Sequence, residues 1–279
     1  MLPIYVYNSA AGQLKDGVQD GPAEIVAKLR EKKYQLEIIE PNEIRGPRKP
    51  NKLNYDVVSE DCQRLYQSII KHNHEKPLFL GGDHSMAIGT IISILAKHPD
   101  LFVIWIDAHC DINTSETTLS NNIHGMPVAQ ICGLENKYKF DWIKKYLDLS
   151  RFIYVGIRDI DKAEATIVTE NKIKYITVSR LQEDGIKEIV HGIKKLVDNA
   201  PIHISLDVDG IDPKYIPSTG TSVEKGLELD DVIYLIKNLN NVKSMDIAEF
   251  NPSIGLEVDK QKSLDSIMKI IEAYYTKIY

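Results

Sequence analysis

Short, nearly unbroken apolar runs alternate with longer amphipathic segments along this chain of 279 residues. Runs of this kind, rich in Ile, Val, Leu and aromatic residues, are typical of parallel strands that are covered on both faces. They predict strands at 4–7, 35–39, 78–80, 101–106, 152–155, 174–178, 202–206 and 242–247. The segments between them carry apolar residues at helical spacing and predict helices at 22–32, 55–74, 85–97, 161–170, 181–198, 229–239 and 260–277.

The alternation of strands and helices predicts the fold class. Crossover helices on both faces of a parallel sheet produce a three-layer arrangement. We therefore expect a three-layer α/β/α fold with a central, mostly parallel sheet, and a single domain over residues 1–279. The Pro-rich, basic segment 41–52 is predicted to be an irregular surface connection, because strand–helix alternation resumes directly after it.

Charge, cysteine content and the length of the apolar runs limit the binding partners and the cellular compartment that we expect. Lys and Arg total 34 and Asp and Glu total 40, so the formal net charge is −6, which provides no bulk attraction for nucleic acid or an anionic membrane. The odd set of Cys62, Cys110 and Cys132 has no close-spaced pair and argues against a disulfide framework. No apolar run approaches the length of a membrane span and the first residues do not resemble a signal peptide, so we expect a cytoplasmic protein.

Polar side chains follow four of the predicted strands at the points where those strands end. They lie in the segments 81–84 (Gly-Gly-Asp-His), 107–111 (Asp-Ala-His-Cys-Asp), 207–209 (Asp-Val-Asp) and 249–252 (Glu-Phe-Asn-Pro). In open α/β sheets, ligands bind outside the carboxyl ends of the strands. The sequence therefore predicts a functional site at this edge of the sheet.

The spacing of the acidic and histidine residues favours a site for two divalent cations. Within each of two segments these residues alternate, so their side chains point the same way if the chain stays extended. They are Asp107, His109 and Asp111 in one segment and Asp207 and Asp209 in the other. With the histidine of segment 81–84 they amount to four carboxylates and two imidazoles, and the carboxylates repel one another unless cations neutralise them. Mixed oxygen and nitrogen ligands without thiolate suit Mn²⁺ better than structural zinc, and bridging carboxylates are typical of two-metal hydrolytic sites.

Helix capping and simple ion loops account for single residues better than for the whole set. An aspartate directly after a strand also caps the following helix, but capping does not explain two histidines in register with the acids. Segment 207–210 faintly resembles a calcium loop, although its glycine comes too early and Ser218 stands where the bidentate glutamate belongs. Segment 81–85 is not a phosphate loop, because it lacks the Gly-Lys-Ser/Thr ending.

Five motifs resemble the ureohydrolase family and, within it, the arginases. They are GGDHS (81–85), DAHCDIN (107–113), HGMP (124–127), SLDVDGIDP (205–213) and TGT (219–221), in the family's order and spacing. The resemblance covers residues 17–252. It implies an eight-stranded parallel sheet, two Mn²⁺ ions per subunit, hydrolysis of L-arginine to L-ornithine and urea, and a homotrimer or homohexamer.

The resemblance also implies the metal ligands. One Mn²⁺ is held by His84, Asp107, Asp111 and Asp207, and the other by Asp107, His109, Asp207 and Asp209. Asp107 and Asp207 then bridge the two ions. A hydroxide between the ions attacks the guanidinium carbon in this family, and metal binding makes hydroxide available by lowering the pKa of water from 15.7 to about 7 in favourable sites.

Catalytic roles are implied for His124, Glu249 and Asp111. Glu249 resembles the carboxylate that pairs with the substrate guanidinium and orients it. His124 is similar to the family's proton shuttle, which protonates the leaving amine or relays protons to bulk water. The alternative for His124 is a loop histidine that bonds only to backbone. Asp111 takes part as a metal ligand.

Substrate-binding positions follow from the same resemblance. The implied residues are Asn113 and Ser120, assisted by Asn122, for the α-carboxylate of arginine, Asp161 and Glu164 for its α-amino group, and Thr221 in the lining of the same pocket. Acids at a helix start are also favoured by the helix dipole, so Asp161 and Glu164 are consistent with a purely structural role as well.

The chain departs from the family pattern at a few positions. Cys110 stands where threonine is usual, and its alternation with the ligands predicts a small packing residue that points away from them. Asn121 replaces a common glycine, and Ser115 and Glu116 replace a proline-containing stretch. We expect these changes to reshape or stiffen the loop that meets the α-carboxylate.

Three rival functions remain open from the sequence. An agmatinase or guanidinobutyrase has the same metal core, but its substrate lacks the α-carboxylate that Asn113 and Ser120 would bind. A related deacetylase needs a single zinc site and would leave His84, Asp111 and Asp209 without a use. A non-catalytic arginine-binding protein is disfavoured, because unused buried ligands are costly to hold together.

Overall fold

The computed structural model of the chain describes residues 1–41 and 54–276, and all the strands named here lie in one sheet within those ranges. The strands are β1 (Leu2–Tyr7), β2 (Leu36–Ile39), β3 (Leu78–Gly81), β4 (Phe102–Ile106), β5 (Phe152–Ile157), β6 (Lys174–Thr177), β7 (Ile202–Asp207) and β8 (Val242–Ala248). Every neighbouring pair is parallel, and the order across the sheet is β2-β1-β3-β8-β7-β4-β5-β6. The predicted strands and the parallel sheet are confirmed.

Helices cover both faces of this sheet. Those in the described ranges are α1 (Gly21–Glu31), α2 (Tyr55–His72), α3 (Ala87–Lys97), α4 (Pro127–Ile131), α5 (Lys162–Glu170), α6 (Val178–Asp184), α7 (Ile186–Val197), α8 (Leu229–Asn238) and α9 (Glu257–Tyr275). The short helix α4 is not predicted by the hydrophobic pattern, since it is little more than one turn. No helix in the described ranges is both long enough and apolar enough to cross a membrane.

Alternate residues of the central strands contribute to two separate cores. Ile104 and Ile106 of β4 belong to the same core as apolar residues of α1, α6, α7, α8 and α9, whereas Val103 and Trp105 belong to a core with apolar residues of α2, α3, α4 and α5. Cys110 belongs to the second core, as its alternation with the ligands predicts. Because both faces of the sheet are buried, its strands have the continuous apolar character expected for parallel strands. The predicted three-layer arrangement is confirmed.

The prediction of one helix over 181–198 is wrong. The chain forms α6 and α7 there, and Gly185 separates them with a φ of 81°, a left-handed conformation that glycine adopts without steric strain. The apolar period continues across the break because both helices pack against the same core. Helix α9 begins at Glu257 rather than at Lys260. Its predicted end at Lys277, and all of the predicted connection 41–52 except Pro41, lie outside the described residues.

Candidate metal centre and active site

Four adjacent strands in the middle of the sheet carry the candidate site. β3, β8, β7 and β4 are consecutive in the sheet order. The site residues that end these strands or follow them within three residues are His84, Glu249, Asp207 and Asp107, in the same order. Because the strands are parallel, these side chains emerge at one edge, where ligands bind in open α/β sheets.

The backbone that presents these side chains is tightly packed. A Cβ at Gly82 would lie 2.0 Å from the carbonyl oxygen of Ser9, so only glycine fits between β1 and β3. The nitrogen of Gly82 donates to the carbonyl of Tyr7 at 2.7 Å, and the nitrogen of Glu249 donates to the carbonyl of Gly82 at 2.9 Å. Glu249 and Asp111 have φ values of 66° and 48°. Such left-handed residues cost about 1 kcal/mol or more and persist where the surrounding contacts impose them.

The first cluster consists of one imidazole and three carboxylates. Nδ1 of His84 lies 3.3 Å from Asp107 Oδ2 and 3.2 Å from Asp111 Oδ2. It also lies 3.3 Å from Asp207 Oδ2. The candidate ligand atoms all lie within 4.8 Å of one another, yet His84 Nδ1 makes no hydrogen bond to any described residue. A buried ring nitrogen without a hydrogen-bond partner, facing three carboxylates, fits a divalent cation.

Neighbouring side chains fix the orientation of the His84 ring. Its Nε2 lies 3.0 Å from Ser205 Oγ, and its ring stacks on Trp105 with centroids 4.0 Å apart. The indole nitrogen of Trp105 in turn donates to Asp107 Oδ2 at 2.8 Å. A ligating histidine is usually held in this way through its second nitrogen, which leaves the first nitrogen as an acceptor for the metal.

The second cluster shares Asp107 with the first. Nδ1 of His109 lies 3.5 Å from Asp107 Oδ1 and 3.2 Å from Asp209 Oδ2, and these three residues form a second group whose ligand atoms lie within 4.8 Å of one another. The hydroxyl of Thr221 donates to Asp209 Oδ2 at 2.7 Å. Asp207 joins the first group only. The structure therefore brings together every ligand that the resemblance implies for one ion, and three of those implied for the other.

The chain does not stay extended from Asp207 to Asp209, so the condition for alternation to align these two side chains is not met. Residues Val208–Gly210 form a 3-10 turn, and Asp207 Oδ1 accepts a hydrogen bond from the nitrogen of Asp209 at 2.9 Å. The turn passes directly over β4, since a Cβ at Gly210 would lie 2.8 Å from the backbone nitrogen of Asp107. This close approach, rather than an extended backbone, brings both carboxylates to Asp107.

Crowded charge shifts the pKa values within the clusters. Burial, and then the charge of Asp107, raises the pKa of Asp111 to about 6. Burial, and then the neighbouring Asp209, raises the pKa of Asp207 well above its usual range. Burial would also raise the pKa of Asp107, but the neighbouring imidazoles of His109 and then His84 hold it well below its usual range. Without cations, Asp111 and Asp207 bind protons more tightly than free carboxylates do, and divalent cations would compete with those protons.

Glu249 is a buried carboxylate with several donors. Its Oε1 accepts from the backbone nitrogen of His84 at 2.9 Å and lies 2.9 Å from Nδ1 of His124. Nε2 of Gln13 lies 3.0 and 2.7 Å from its two oxygens. Burial would raise the pKa of Glu249, but His124 and then Gln13 hold it below its usual range. Burial alone would lower the pKa of His124, whereas the charge of Glu249 raises it to about 9.

A polar cavity of about 250 Å³ opens beside the two clusters. Its lining includes the predicted site residues His109, Asp111, Asn113, Ser120, His124, Asp161, Glu164, Asp207 and Thr221. Five predicted site residues are not in the lining, namely His84, Asp107, Asp209, Asn122 and Glu249. The backbone nitrogen of Asn122 donates to Ser120 Oγ at 3.2 Å, so Asn122 contacts a residue of the lining.

The acidic side of the cavity is also a helix cap. Asp161 Oδ1 accepts from the backbone nitrogens of Ala163 and Glu164 at 2.8 and 2.9 Å, and the side chain of Glu164 accepts from the nitrogen of Asp161 at 3.4 Å. The structural role of this pair at the helix start is therefore confirmed, and both side chains line the cavity as well. Asn113 Nδ2 donates to Asp161 Oδ2 at 2.7 Å. Burial, and then the charge of Asp111, raises the pKa of Glu164 to about 8.

The sequence pattern assigns no role to two residues that shape the site, Gln13 and Ser205, although Ser205 begins one of the quoted motifs. Gln13 lies just beyond β1, which is the neighbour of β3, but no polar motif marks it. Ser205 is a buried serine inside the otherwise apolar strand β7, and that interruption is the available signal. Each residue acts on a partner that is distant in the sequence, so spacing alone does not reveal the contact.

Comparisons with known proteins show the family of this chain. The sequence model of the Arginase family matches residues 5–273. Arginase-1 of Mus musculus is 33% identical over 90% of this chain and 85% of its own length, and the arginase of Entamoeba histolytica is 37% identical over 93% of each chain. The crystal structure of Entamoeba histolytica arginase in complex with L-ornithine has a TM-score of 0.88 and 30% identity over 98% of each chain. The chain therefore belongs to the arginase family.

Proposed function

We propose that this protein is a Mn²⁺-dependent arginase, which hydrolyses L-arginine to L-ornithine and urea. The observation that carries the proposal is the presence of two overlapping Asp/His clusters beside a polar cavity, in a chain of the arginase family. The complex of the Entamoeba histolytica arginase with L-ornithine supports the identity of the product.

The donor set suits two Mn²⁺ ions per subunit. We assign His84, Asp107, Asp111 and Asp207 to one ion, and Asp107, His109, Asp207 and Asp209 to the other. The clustered donors are carboxylate oxygens and imidazole nitrogens, which favour Mn²⁺ over structural zinc. When bound, such a pair of ions supplies Lewis-acid activation of water for attack on the guanidinium carbon.

We assign Glu249, which lies outside the cavity lining, and His124, which belongs to it, to the guanidinium end of the substrate. The ionised Glu249 offers two oxygens to the planar fork of the guanidinium, and Gln13 fixes the plane of that carboxylate through both oxygens. As water oxygen bonds to the guanidinium carbon and the C–N bond to the side-chain nitrogen breaks, that nitrogen needs a proton. His124 lines the cavity and lies 2.9 Å from Glu249, so it delivers this proton and recovers one from solvent.

The remaining lining residues bind the amino-acid end of arginine. We assign Asn113 and Ser120, assisted by Asn122, to the α-carboxylate, Asp161 and Glu164 to the α-ammonium, and Thr221 to the wall between this subsite and Asp209. Glu164 retains its proton near neutrality while the cavity has no cationic ligand. A substrate ammonium beside it favours the ionised form, so binding of arginine lowers that pKa.

Urea release is expected to require Mn²⁺. Chelated protein should lose at least about a hundredfold in kcat, because Lewis-acid catalysis contributes several kcal/mol and each 1.4 kcal/mol is about tenfold. The measurement is urea formed from L-arginine by chelated protein, by protein refilled with Mn²⁺, and by protein refilled with Ca²⁺. Ca²⁺ prefers sites built from oxygen ligands alone and serves as the control ion. Tight binding of both Mn²⁺ and arginine without urea release would favour a non-catalytic arginine-binding protein instead.

Ser120→Ala is expected to raise KM for L-arginine about tenfold with little change in kcat, because a hydrogen bond to a charged group contributes roughly 1.5–3 kcal/mol. Ser179→Ala, at an exposed position of α6, is the control with the same chemical change. Wild-type kcat/KM for L-arginine should exceed that for agmatine, which lacks the α-carboxylate. Faster turnover of agmatine would identify the protein as an agmatinase, the nearest rival.

We also propose that the protein is a homotrimer or homohexamer that works in the cytoplasm. The three cysteines Cys62, Cys110 and Cys132 are all free thiols in the structure, which suits a reducing compartment. The assembly itself rests on the family to which the chain belongs.

A further inference from the structure

The loop of residues 113–122 has a buried base and an exposed tip. Asn113 at the base is 9% exposed, whereas Leu119 at the tip is 88% exposed. Near the base, the nitrogen of Thr117 donates to the carbonyl of Thr114 at 3.1 Å and closes a turn. Ser120 lines the cavity from this exposed tip, so its position depends on how the base is held.

A carboxylate from outside the loop holds this base. Oε2 of Glu135 accepts from the backbone nitrogen of Ser115 at 2.7 Å, and Oε1 accepts from the hydroxyl of Ser115 at 2.9 Å. Oε1 also accepts from the nitrogens of Lys137 and Tyr138 at 2.8 and 3.0 Å. Two donors thus come from the turn that follows Glu135, and two come from the 113–122 loop.

Position 135 is an unusual place for a charged side chain, because Glu135 is only 2% exposed. Burial would raise the pKa of Glu135, but hydrogen bonds led by the backbone of Ser115 hold it below its usual range. The ring of Tyr55 stacks on Tyr138 with centroids 4.4 Å apart, which adds aromatic packing beside the anchor. Charge-assisted hydrogen bonds in a buried site are stronger than neutral ones, so this anchor resists displacement.

Ser115 occupies the second position of the turn, where proline often restricts the backbone by itself. The serine instead supplies a backbone N–H and a hydroxyl that proline lacks, and both are bonded to Glu135. The two donors of Ser115 are therefore matched by a buried acid elsewhere in the chain.

We propose that Glu135 is a positioning residue for the α-carboxylate subsite, acting through Ser115 to hold the 113–122 loop in its binding conformation. This inference rests on the proposed assignment of Asn113 and Ser120 to the substrate carboxylate. A loop that is ordered before the ligand arrives loses less conformational entropy on binding. Glu135 thus contributes to affinity for ligands that carry an α-carboxylate and has no part in the chemical step.

The test replaces Glu135 by glutamine in the Mn²⁺-loaded protein. We expect Kd for L-ornithine, measured by calorimetry, and KM for L-arginine to rise together by about tenfold. kcat should stay within about twofold, and so should the inhibition constant of agmatine, which has no carboxylate to place. Glu116→Gln is the matched control, because Glu116 is an exposed acid of the same loop, and it should leave all four quantities unchanged.

A double-mutant cycle tests whether the effect passes through Ser115. Ser115→Ala removes the hydroxyl and keeps the backbone donor, so its own effect on Kd for ornithine should be smaller than that of Glu135→Gln. The double variant should bind ornithine about as well as Glu135→Gln alone, because residues in one hydrogen-bond network are not additive. Additive losses would overturn the role assigned to Ser115, and with it the proposal.

The single variants also distinguish a failure of the role proposed for Glu135 from a failure of the proposed α-carboxylate subsite. Unchanged ornithine affinity in Glu135→Gln would refute the positioning role, and an equal loss of agmatine affinity would show a general structural role instead. If Ser120→Ala weakens arginine binding but Glu135→Gln does not, only the role of Glu135 fails. If Ser120→Ala itself has no effect, the carboxylate subsite is assigned to the wrong loop and both proposals fail.

Discussion

Removing Mn²⁺ is expected to lower the melting temperature by about 10 °C at pH 7.5 and by clearly less at pH 5. A cation at roughly 1,000 times its Kd stabilises the folded state by about 4 kcal/mol, and each kcal/mol shifts Tm by roughly 2–4 °C in a chain of somewhat smaller size. The metal effect shrinks at low pH because protons compete for the same carboxylates and imidazoles.

The metal-free protein should itself become less stable as pH rises from 5 to 7.5. A group whose pKa is raised by folding contributes stability below its unfolded pKa and loses it as pH rises through the folded value. Asp111, with a pKa of about 6, loses its contribution within this interval, and the raised pKa values of Asp207 and His84 act in the same direction. The lowered pKa of Asp107 changes the stability of the protein only in strong acid. The measurement is Tm at both pH values with and without excess Mn²⁺.

Asp207→Asn is expected to change the stability of the protein in opposite directions without and with metal. Without metal it should be more stable than the wild type at pH 7.5, since it removes a buried carboxylate that the other acids repel. With Mn²⁺ it should lose most of the metal-induced gain. Asp100→Asn is the control, because Asp100 is exposed and should leave both temperatures unchanged. A metal-induced gain that is the same at both pH values, or is retained in Asp207→Asn, contradicts the assigned clusters.

The sheet could be predicted from the sequence because burial on both faces makes each strand continuously apolar. A strand such as β4 (Phe102–Ile106) is continuously apolar, and the acid that follows it marks the carboxyl end. Helix boundaries depend on the backbone conformation of single residues. The break at Gly185 left the apolar period intact, because α6 and α7 pack against one core, so only the left-handed backbone of that glycine distinguishes two helices from one.

Within the site, the motif residues could be predicted from the sequence, but the residues that position them could not. His84 and Asp107 follow strands that the pattern identifies, so topology alone predicts that they meet. Gln13 reaches Glu249 across 236 positions, and Glu135 reaches Ser115 across 20 positions. Nothing in the local sequence of these supporting residues specifies their partner, because the contact exists only once the sheet order and the loops are set.

Glu249→Gln is expected to lower kcat/KM for L-arginine by about a thousandfold while Mn²⁺ content stays unchanged. The side chain is 1% exposed, so the substrate guanidinium would be buried against a neutral amide. Leaving a buried charge without its partner costs about 3–5 kcal/mol, and each 1.4 kcal/mol is about tenfold in rate. The measurements are initial rates of urea release together with metal analysis of the purified variant.

The pH profile of Glu249→Gln separates its charge from its shape. Glu249 raises the pKa of His124 to about 9 against the effect of burial, so loss of the charge should lower that pKa and move the alkaline limb of kcat to lower pH. Glu170→Gln, the same change at an exposed position of α5, should alter neither rate nor profile. A loss smaller than about tenfold with full metal content would mean that the guanidinium is oriented by other groups. An unmoved pH profile would mean that His124 is not the proton donor, because the donor's acidity must follow the charge 2.9 Å from its ring nitrogen.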